Sequence, residues 1–524
     1  MEMVMLDKEG SFSKVYTTTG TTAMRANCVY DNHLFFASSD ARTVVAEGDP
    51  EPYAKMAVIR MSNEDDTQWD LVADYKDFGN IPFDHIQTSW AGAPFWELAS
   101  HNGWIYATAP STAGFVIFKG RPAQGEETAN QYGWHWEEVA GPNNGINNPG
   151  LSDVPGGEPG TMRSLIGSVY EFQGELYAYK FDHAFAGVAQ SLVGMLQQLK
   201  NGQVKASDYL GYMYNTLHNP QKVWKLNDAT GKFKELKAFT ELMEGTTNEY
   251  IWRMGDHNGK LYVATMDAGI GYGYMTQLTN GSFLKMSPAE KAQKIGYLAN
   301  VIKLLAVAKG NEKIDELRTK LEQLKELLSQ YVETNQIDED TLEIIIDIQS
   351  LTQEIRTIVA TYLQDLGSQQ KATLAALIAK VQADVADISE RIDLEGIKMY
   401  AYINKTVRNN QWGFDLLRTS DGGQSFEVIT RTGFDDKYNY GCPSFLSTEE
   451  GLYFGTCNPF YGGQLFLLNE DTDRKETLGV ILGVENIETK QSDTGYFTLS
   501  GQAVKGTPAV PGIYIHNGRK IVIR

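Results

Sequence analysis

The chain has 524 residues, a length that predicts two or three domains. A net charge of −20 disfavours nucleic acid and anionic membrane surfaces, whose phosphates it would repel. Three cysteines are too few for a disulfide scaffold or a spaced zinc site, and 42% hydrophobic residues with 50 glycines suit a globular, turn-rich protein.

Cys28, Cys442 and Cys457 lie in apolar, strand-like stretches and read as buried thiols, although one pair can be bridged if the protein is exported. No apolar run reaches the roughly 18–20 residues that span a bilayer. Residues 295–308 come nearest but include Lys303. The opening Met1-Glu2-Met3 has no signal-peptide pattern, so an exported form requires a leader already removed.

Taken in chain order, one element recurs: a tight turn followed by a strand carrying an aromatic. Its copies are Asn32-His33-Leu34-Phe35-Phe36, Asn102-Gly103-Trp104-Ile105-Tyr106, Gln173-Gly174-Glu175-Leu176-Tyr177, Asn258-Gly259-Lys260-Leu261-Tyr262 and Glu450-Gly451-Leu452-Tyr453. Each follows a less polar strand and precedes a third, such as Ala57 to Met61 or Gln464 to Leu468. Four units continue into a fourth strand marked by an aromatic three residues before an apolar one: Trp69 with Val72, Trp136 with Val139, Phe233 with Leu236, and Phe426 with Ile429. The fifth unit lacks that strand. Ser11-Phe12-Ser13-Lys14-Val15-Tyr16-Thr17 matches the fourth strand of the fourth unit, which predicts that the N-terminus completes the last sheet. The expected fold is mainly β, a five-bladed β-propeller closed by an N-terminal strand. A β-sandwich is the competing architecture.

In such a ring, the loops after second strands and between units share one face. Two insertions fall there, one at about residues 181–221 with a helix predicted around Val188 to Lys200, the other at 287–394. In the latter the period lengthens to about 3.5, the signature of helices. Ser287-Pro288-Ala289-Glu290 supplies a capping box, and Gly310 and Gly367-Ser368 supply breaks. Stripes run through Ile314, Leu317, Leu321, Leu324, Leu328 and Tyr331, then Ile344, Ile348, Leu351, Ile355, Ile358 and Tyr362, then Leu374, Leu377, Val381, Val385, Ile388 and Ile392. A four-helix bundle is expected, returning the chain to where it left. It has no Glu-x-x-His pair and so no di-metal centre is expected. The predicted divisions are therefore 11–286 and 395–472 for the propeller, 287–394 for the bundle and 480–524 for a small C-terminal β module.

Thr419-Ser420-Asp421-Gly422-Gly423-Gln424-Ser425-Phe426 resembles the Asp-box (BNR) motif of sialidases, other glycan-active propellers and sortilin-like receptors. That resemblance implies a structural turn between third and fourth strands, remote from any active site. The Arg-Ile-Pro element of sialidases is absent, and Arg25, Arg163 and Arg253 sit at unequal offsets, which argues against a carboxylate-gripping triad. The Leu499-Ser500-Gly501-Gln502 turn, the Pro511-Gly512-Ile513-Tyr514-Ile515 strand and the basic final strand resemble the C-terminal sorting modules of proteins secreted by Bacteroidetes. This implies export with surface attachment or release.

Five positions after the repeated aromatic stand Asp182, Asp267 and Asn458, with Asp40 one position off. At strand ends these side chains would ring the insertion-bearing mouth. Close carboxylates there can bind a divalent cation such as calcium, share protons or grip sugar hydroxyls. The same residues also fit a simpler role, capping the turn that follows each strand. Asp84-His85, Arg163, Asn248-Glu249 and Asn439-Tyr440 are placed on the same face, His85 and His183 as metal ligands or bases, and Trp90, Trp96 and Tyr440 as stacking surfaces. The expected function is an exported, surface-associated propeller binding a glycan or protein ligand. The alternatives are a glycan-active hydrolase or lyase using Asp40, Asp182 and Asp267, and a scaffold recruiting a partner through the bundle. Oligomeric state leaves no trace in the sequence.

Overall fold

The computed structural model describes residues 2–6, 10–17, 21–40, 57–63, 68–78, 95–111, 114–147, 150–151, 166–181, 198, 205–277, 283–284, 286–306, 312–331, 339–365, 368–460, 462–468, 475–476, 496–498, 503–504, 507–508, 510, 512–516 and 519–523. Strands β1 (Glu2–Leu6) and β2 (Phe12–Thr17) pair with each other. The first antiparallel four-stranded sheet is β3 (Thr21–Tyr30), β4 (His33–Asp40), β5 (Ala57–Ser62) and β6 (Trp69–Asp74). The second is β7 (Glu97–His101), β8 (Trp104–Ala109), β9 (Val116–Pro122) and β10 (Trp134–Ala140). The third is β11 (Ile166–Phe172), β12 (Glu175–Phe181), β13 (Val223–Asn227) and β14 (Lys232–Glu235).

A fourth set, β15 (Asn248–His257), β16 (Lys260–Asp267), β17 (Leu416–Thr419) and β18 (Glu427–Thr430), meets a fifth, β19 (Gly441–Thr448), β20 (Gly451–Cys457), β21 (Leu465–Leu468) and β22 (Lys475–Glu476). A single residue pair, Met266 with Gly441, joins these two into one eight-stranded sheet. A separate four-stranded sheet near the C-terminus orders β23 (Tyr496–Thr498), β24 (Ala503–Val504), β25 (Gly512–His516) and β26 (Arg519–Ile523) as β24-β23-β25-β26.

The repeated turns form because their residues accept left-handed backbone. Asn102, Gln173 and Asn258 have φ of 47°, 54° and 47°, each followed by a glycine at 76°, 78° and 72°. Two successive positive φ values define the hairpin turn whose twist matches that of its strands. The sheets then stack through their faces. Phe35, Ile59 and Val72 of the first pack with Leu98, Ile105 and Phe118 of the second. Tyr106 and Ile117 meet Leu176, Ala178 and Trp224 of the third. Tyr177 and Tyr179 meet Ile251, Leu261 and Val263 of the fourth, and Tyr262, Ala264 and Leu416 meet Leu452, Phe454 and Phe466 of the fifth.

The predicted N-terminal closure is not what the chain does. β2 pairs with β1, and the outer neighbour of β21 is β22, downstream in the same unit. Phe12, matched in sequence to Phe426, is 75% exposed, whereas Phe426 packs against the core between the third and fourth sheets. The sequence match therefore does not carry a matching burial.

Helices α1 (Ser207–His218) and α2 (Lys237–Met243) flank β13 and β14. Between β16 and β17 come α3 (Gly269–Gln277), α4 (Pro288–Leu305), α5 (Glu312–Gln330), α6 (Glu339–Asp365), α7 (Ser368–Arg391) and α8 (Leu394–Asn409). At α4 the Ser287 Oγ accepts from Glu290 N at 3.3 Å while Glu290 Oε2 accepts from Ser287 N at 2.9 Å, the capping box the sequence predicts. The α5 stripe is buried as predicted. In α6 and α7 the buried positions include Ile345, Val359 and Ile378, with Ile344, Ile358 and Leu377 half-buried beside them. The helix predicted around Val188 to Lys200 lies outside the described residues apart from Gln198.

α8 corrects the predicted boundary: the segment from 395 does not re-enter the sheets directly. Ile397, Tyr400, Ile403 and Val407 recur at helical spacing and are buried against the helical core. That core also takes in Leu210, Met213 and Leu217 of α1 and Tyr250 and Met266 of the fourth sheet, so both insertions pack together over it. Among the described residues, no helix is long and apolar enough to cross a membrane.

At the β17–β18 turn, Asp421 Oδ1 accepts from Thr419 Oγ1 at 2.8 Å, Gln424 N at 2.9 Å and Ser425 N at 3.0 Å, and Oδ2 accepts from Ser425 Oγ at 2.6 Å. The Ser425 contacts lead in holding this carboxyl well below the usual range, so it stays ionised across the working pH. Asp421→Ala is expected to lower stability by about 1 kcal/mol, since the turn is exposed. Urea denaturation checks this, and ligand binding at the opposite end of the sheet should not change.

Candidate functional site

The insertion-bearing end of the fourth sheet gathers the start of β15, the end of β16, the residues before β17 and those after β18. Asp267 closes β16. Its Oδ1 accepts from the Thr247 hydroxyl and from Gly269 N at 3.1 Å, its Oδ2 accepts from Gly413 N at 3.0 Å, and its own N–H donates to Tyr440 O at 2.7 Å. Gly269 and Gly413 stand at the two necks of the helical insertion, just after β16 and just before β17. Asp267 is 4% exposed, and that burial pushes its pKa up to about 6. This is the geometry of a turn cap that also pins both necks of the insertion.

A second buried carboxylate stands nearby. Asp415, 3% exposed, receives Arg431 Nη1 at 2.6 Å, and Arg431 Nη2 donates on to Leu242 O at 3.0 Å. Burial lifts Asp415 to about 7 despite the attraction of Arg431, with the Asp267 charge adding to the rise. Thr265 Oγ1 joins the two layers by donating to Asn248 Oδ1 at 2.5 Å and accepting from Asp415 N at 2.9 Å. Glu249 is buried beside this network, and its backbone carbonyl accepts from Gln221 Nε2.

In front of these groups lies an open groove of about 710 Å³ lined by Gln411, Trp412, Thr432, Asp435, Asp436, Lys437 and Tyr438. Trp412 is anchored by Nε1 donating to Val407 O at 3.0 Å. Between the lining residues Thr432 and Asp436 the backbone runs through φ of 58°, 61° and 63° at Gly433, Phe434 and Asp435. A β-carbon on Gly433 would stand 2.6 Å from Asn439 O, so only glycine fits. The two non-glycine residues cost about 1–3 kcal/mol each in this region. The run is held by Asn439 Nδ2 donating to Gly433 O at 2.9 Å and by the Phe434 ring, 5.1 Å from Phe454 and 5.0 Å from Phe466. Strain maintained by this much support, beside a groove, marks a built surface.

Of the predicted residues, Asp267, Tyr440 and Asn458 come together behind this groove. Asn458 Nδ2 donates to Asp436 Oδ2 and Asn439 Oδ1, both at 3.1 Å, while its Oδ1 accepts from Phe460 N at 3.0 Å, again capping a turn. Tyr440 backs onto Trp252, 5.7 Å between rings, and burial raises its pKa. Arg253 reaches across to Glu97 of the second sheet at 2.9 Å and is not joined by a second described arginine.

Trp96 is corrected: at 3% exposure it belongs to the helical core and offers no stacking face. Asp40 ends β4 opposite Thr21, its side chain outside the described residues. Asp182, His183, Asp84, His85, Arg163 and Trp90 also lie outside them. Among the described residues, no three His, Cys, Asp or Glu side chains are grouped to hold a metal ion. The three thiols are free, and burial pushes Cys28 up to about 12 and Cys442 higher still.

The groove itself escaped the sequence reading, which followed the second strand of each unit. Its lining comes instead from the segments just before the third strand and just after the fourth strand of one unit, Gln411 and Trp412 on one side and Thr432 with Asp435 to Tyr438 on the other. The available signal was two glycines flanked by aromatic and acidic residues just past the insertion.

No family model matches this chain, and no curated protein matches it. Among solved structures it is similar to a mutant B. megaterium levansucrase, at 10% identity and TM-score 0.24, over 51% of this chain and 65% of that one. A levansucrase complexed with sucrose gives 11% and 0.23 over 48% and 63%, and Bacillus subtilis levansucrase gives 13% and 0.22 over the same shares. The chain thus spans under two thirds of each of these proteins, and at such TM-scores neither fold nor activity transfers.

Proposed function

We propose that the five successive sheets are the blades of a β-propeller whose insertion-bearing face binds a glycan in the Trp412 groove. The observation that carries this is the groove itself: open, with two aromatic rings and an exposed carboxylate on a rigidly held loop. Such a mix of a flat apolar face and a few placed polar groups suits a sugar ring, apolar on its faces and hydroxylated at its edge. Asp267, one of the three carboxylates of the hydrolytic alternative, is enclosed and bonded within the fold and so not open to substrate, which supports binding at this groove. Hydrolysis would need two open carboxyls roughly 5–10 Å apart, and the Asp40 and Asp182 side chains lie outside the described residues. The chain is taken to be exported, with its C-terminal sheet as the sorting-like module and the β17–β18 turn as an Asp-box.

A glycan array with the full chain tests the binding reading. Trp412→Ala is expected to lower affinity for any hit by about tenfold or more, and Trp412→Phe to retain most of it. An array with no hits, or hits indifferent to Trp412→Ala, would remove the groove as the site.

A further inference from the structure

Lys437 is the unexplained member of the groove. Its ammonium Nζ lies 5.5 Å from the Trp412 ring centroid and 5.2 Å from that of Tyr438, so one cation of the chain serves both aromatic walls. Both distances fall within the range over which a ring's electron-rich face attracts a positive charge. Tyr438 is in turn backed by Phe460, ring centroids 4.5 Å apart. Beside the rings stands Asp435, exposed, whose Oδ1 accepts from Thr432 Oγ1 at 3.1 Å; among the described residues its Oδ2 has no hydrogen-bond partner. Asp436, by contrast, is spent internally on Tyr438 N, Asn458 and Gln464.

We propose that this groove selects a sugar bearing a free, protonated amine, with Lys437 as the resident cation that the ligand displaces. The inference rests on the glycan reading above and narrows its substrate class. Two aromatic faces offer an ammonium what they offer a neutral hydroxyl only weakly, and the unpaired oxygen of Asp435 completes the charge. The chain's net charge of −20 draws cations toward the surface as a whole. Lys437 is exposed and can swing away without disturbing the backbone that holds the rings.

The test is calorimetric titration of the full chain with a glucosamine tetramer, its fully N-acetylated counterpart and tetramethylammonium chloride, at mildly acidic pH and low salt. The free-amine tetramer should bind about tenfold more tightly than the acetylated one, the ratio a cation–π contact supports. Asp435→Asn should remove most of that ratio, and Lys437→Gln should tighten the amine by a few-fold because no resident charge has to leave. Equal binding of the two tetramers would overturn the amine selectivity and leave the glycan reading standing. Binding of tetramethylammonium with neither tetramer would overturn both. Weaker amine binding in Lys437→Gln would also overturn the proposal, by making Lys437 a ligand contact. So would competition by Nα-acetyl-lysine amide at the tetramer's own strength, which would put a basic peptide in the groove.

Discussion

Asp267→Ala is expected to cost about 3–5 kcal/mol, because three buried donors, Thr247 Oγ1, Gly269 N and Gly413 N, lose their acceptor at once. The loss should be local first. Hydrogen exchange at the start of α3 and at Gly413 should accelerate before the rest of the fourth sheet does, since these amides tie the insertion to the blade. Asp267→Asn keeps the size and one acceptor but turns an amide toward a backbone N–H, so about 2 kcal/mol is expected. Unchanged exchange at both necks in the alanine variant would show that the helices are held by their apolar contacts alone.

The pH dependence of that second variant follows from burial. With a folded pKa of about 6 against about 4 for an unfolded aspartate, the folded chain holds the Asp267 proton longer. Between those values the native state binds more protons, so this group's contribution to stability falls as pH rises. Asparagine does not titrate. The deficit of Asp267→Asn relative to wild type should therefore narrow as pH rises through this window, and Asp415 adds to the narrowing because the variant lacks the Asp267 charge that helps lift it. Urea midpoints at the two ends of the window measure this; a deficit that widens would mean that the charged form is the one the site favours.

What could be read from sequence was what repeats. The turn at Asn258-Gly259 demands positive φ, its strand alternates into a core, and three sister copies share both properties, so strand positions and the stacking of the sheets were legible. The α5 stripe was legible for the same reason, a period with consequences for burial. Phe12 shows the limit of this reasoning. Its segment copies a blade strand in letters, yet pairing is decided by which edge lies within reach and what the ring can bury against, and neither is local. Asp267 was correctly placed at a strand end on the insertion-bearing side. What it touches depends on Gly413, 146 residues away, which no spacing rule foresees. The groove was hidden for a related reason: Trp412 precedes β17 and Tyr438 follows β18, so it is the pairing of those strands that brings both to one groove, while Phe434 and Asp435 adopt a backbone that their side chains disfavour.

Asp393 should prove the second critical carboxylate, although it contacts no groove residue. It is the N-cap of α8, Oδ1 accepting from Gly396 N at 3.0 Å, and its Oδ2 accepts from Ser207 N, the first residue of α1, at 2.7 Å. One side chain thus satisfies the exposed donors of two helices from separate insertions, 186 residues apart, and places its negative charge at the positive end of each. It is buried, and a β-carbon on Gly396 would fall 2.4 Å from Oδ2, so this packing leaves no room for a larger neighbour. Asp393→Ala is expected to cost about 2–4 kcal/mol, two caps lost together. Asp393→Asn should recover roughly half of that, since one amide oxygen can still cap a single helix. Hydrogen exchange distinguishes the double cap from an ordinary one: protection should fall together at the first turns of α1 and α8, on either side of the Tyr214, His218 and Tyr402 ring stack that joins the two helices. Fraying confined to α8 would reduce Asp393 to a local cap and leave that stack and the shared apolar core as what couples the insertions.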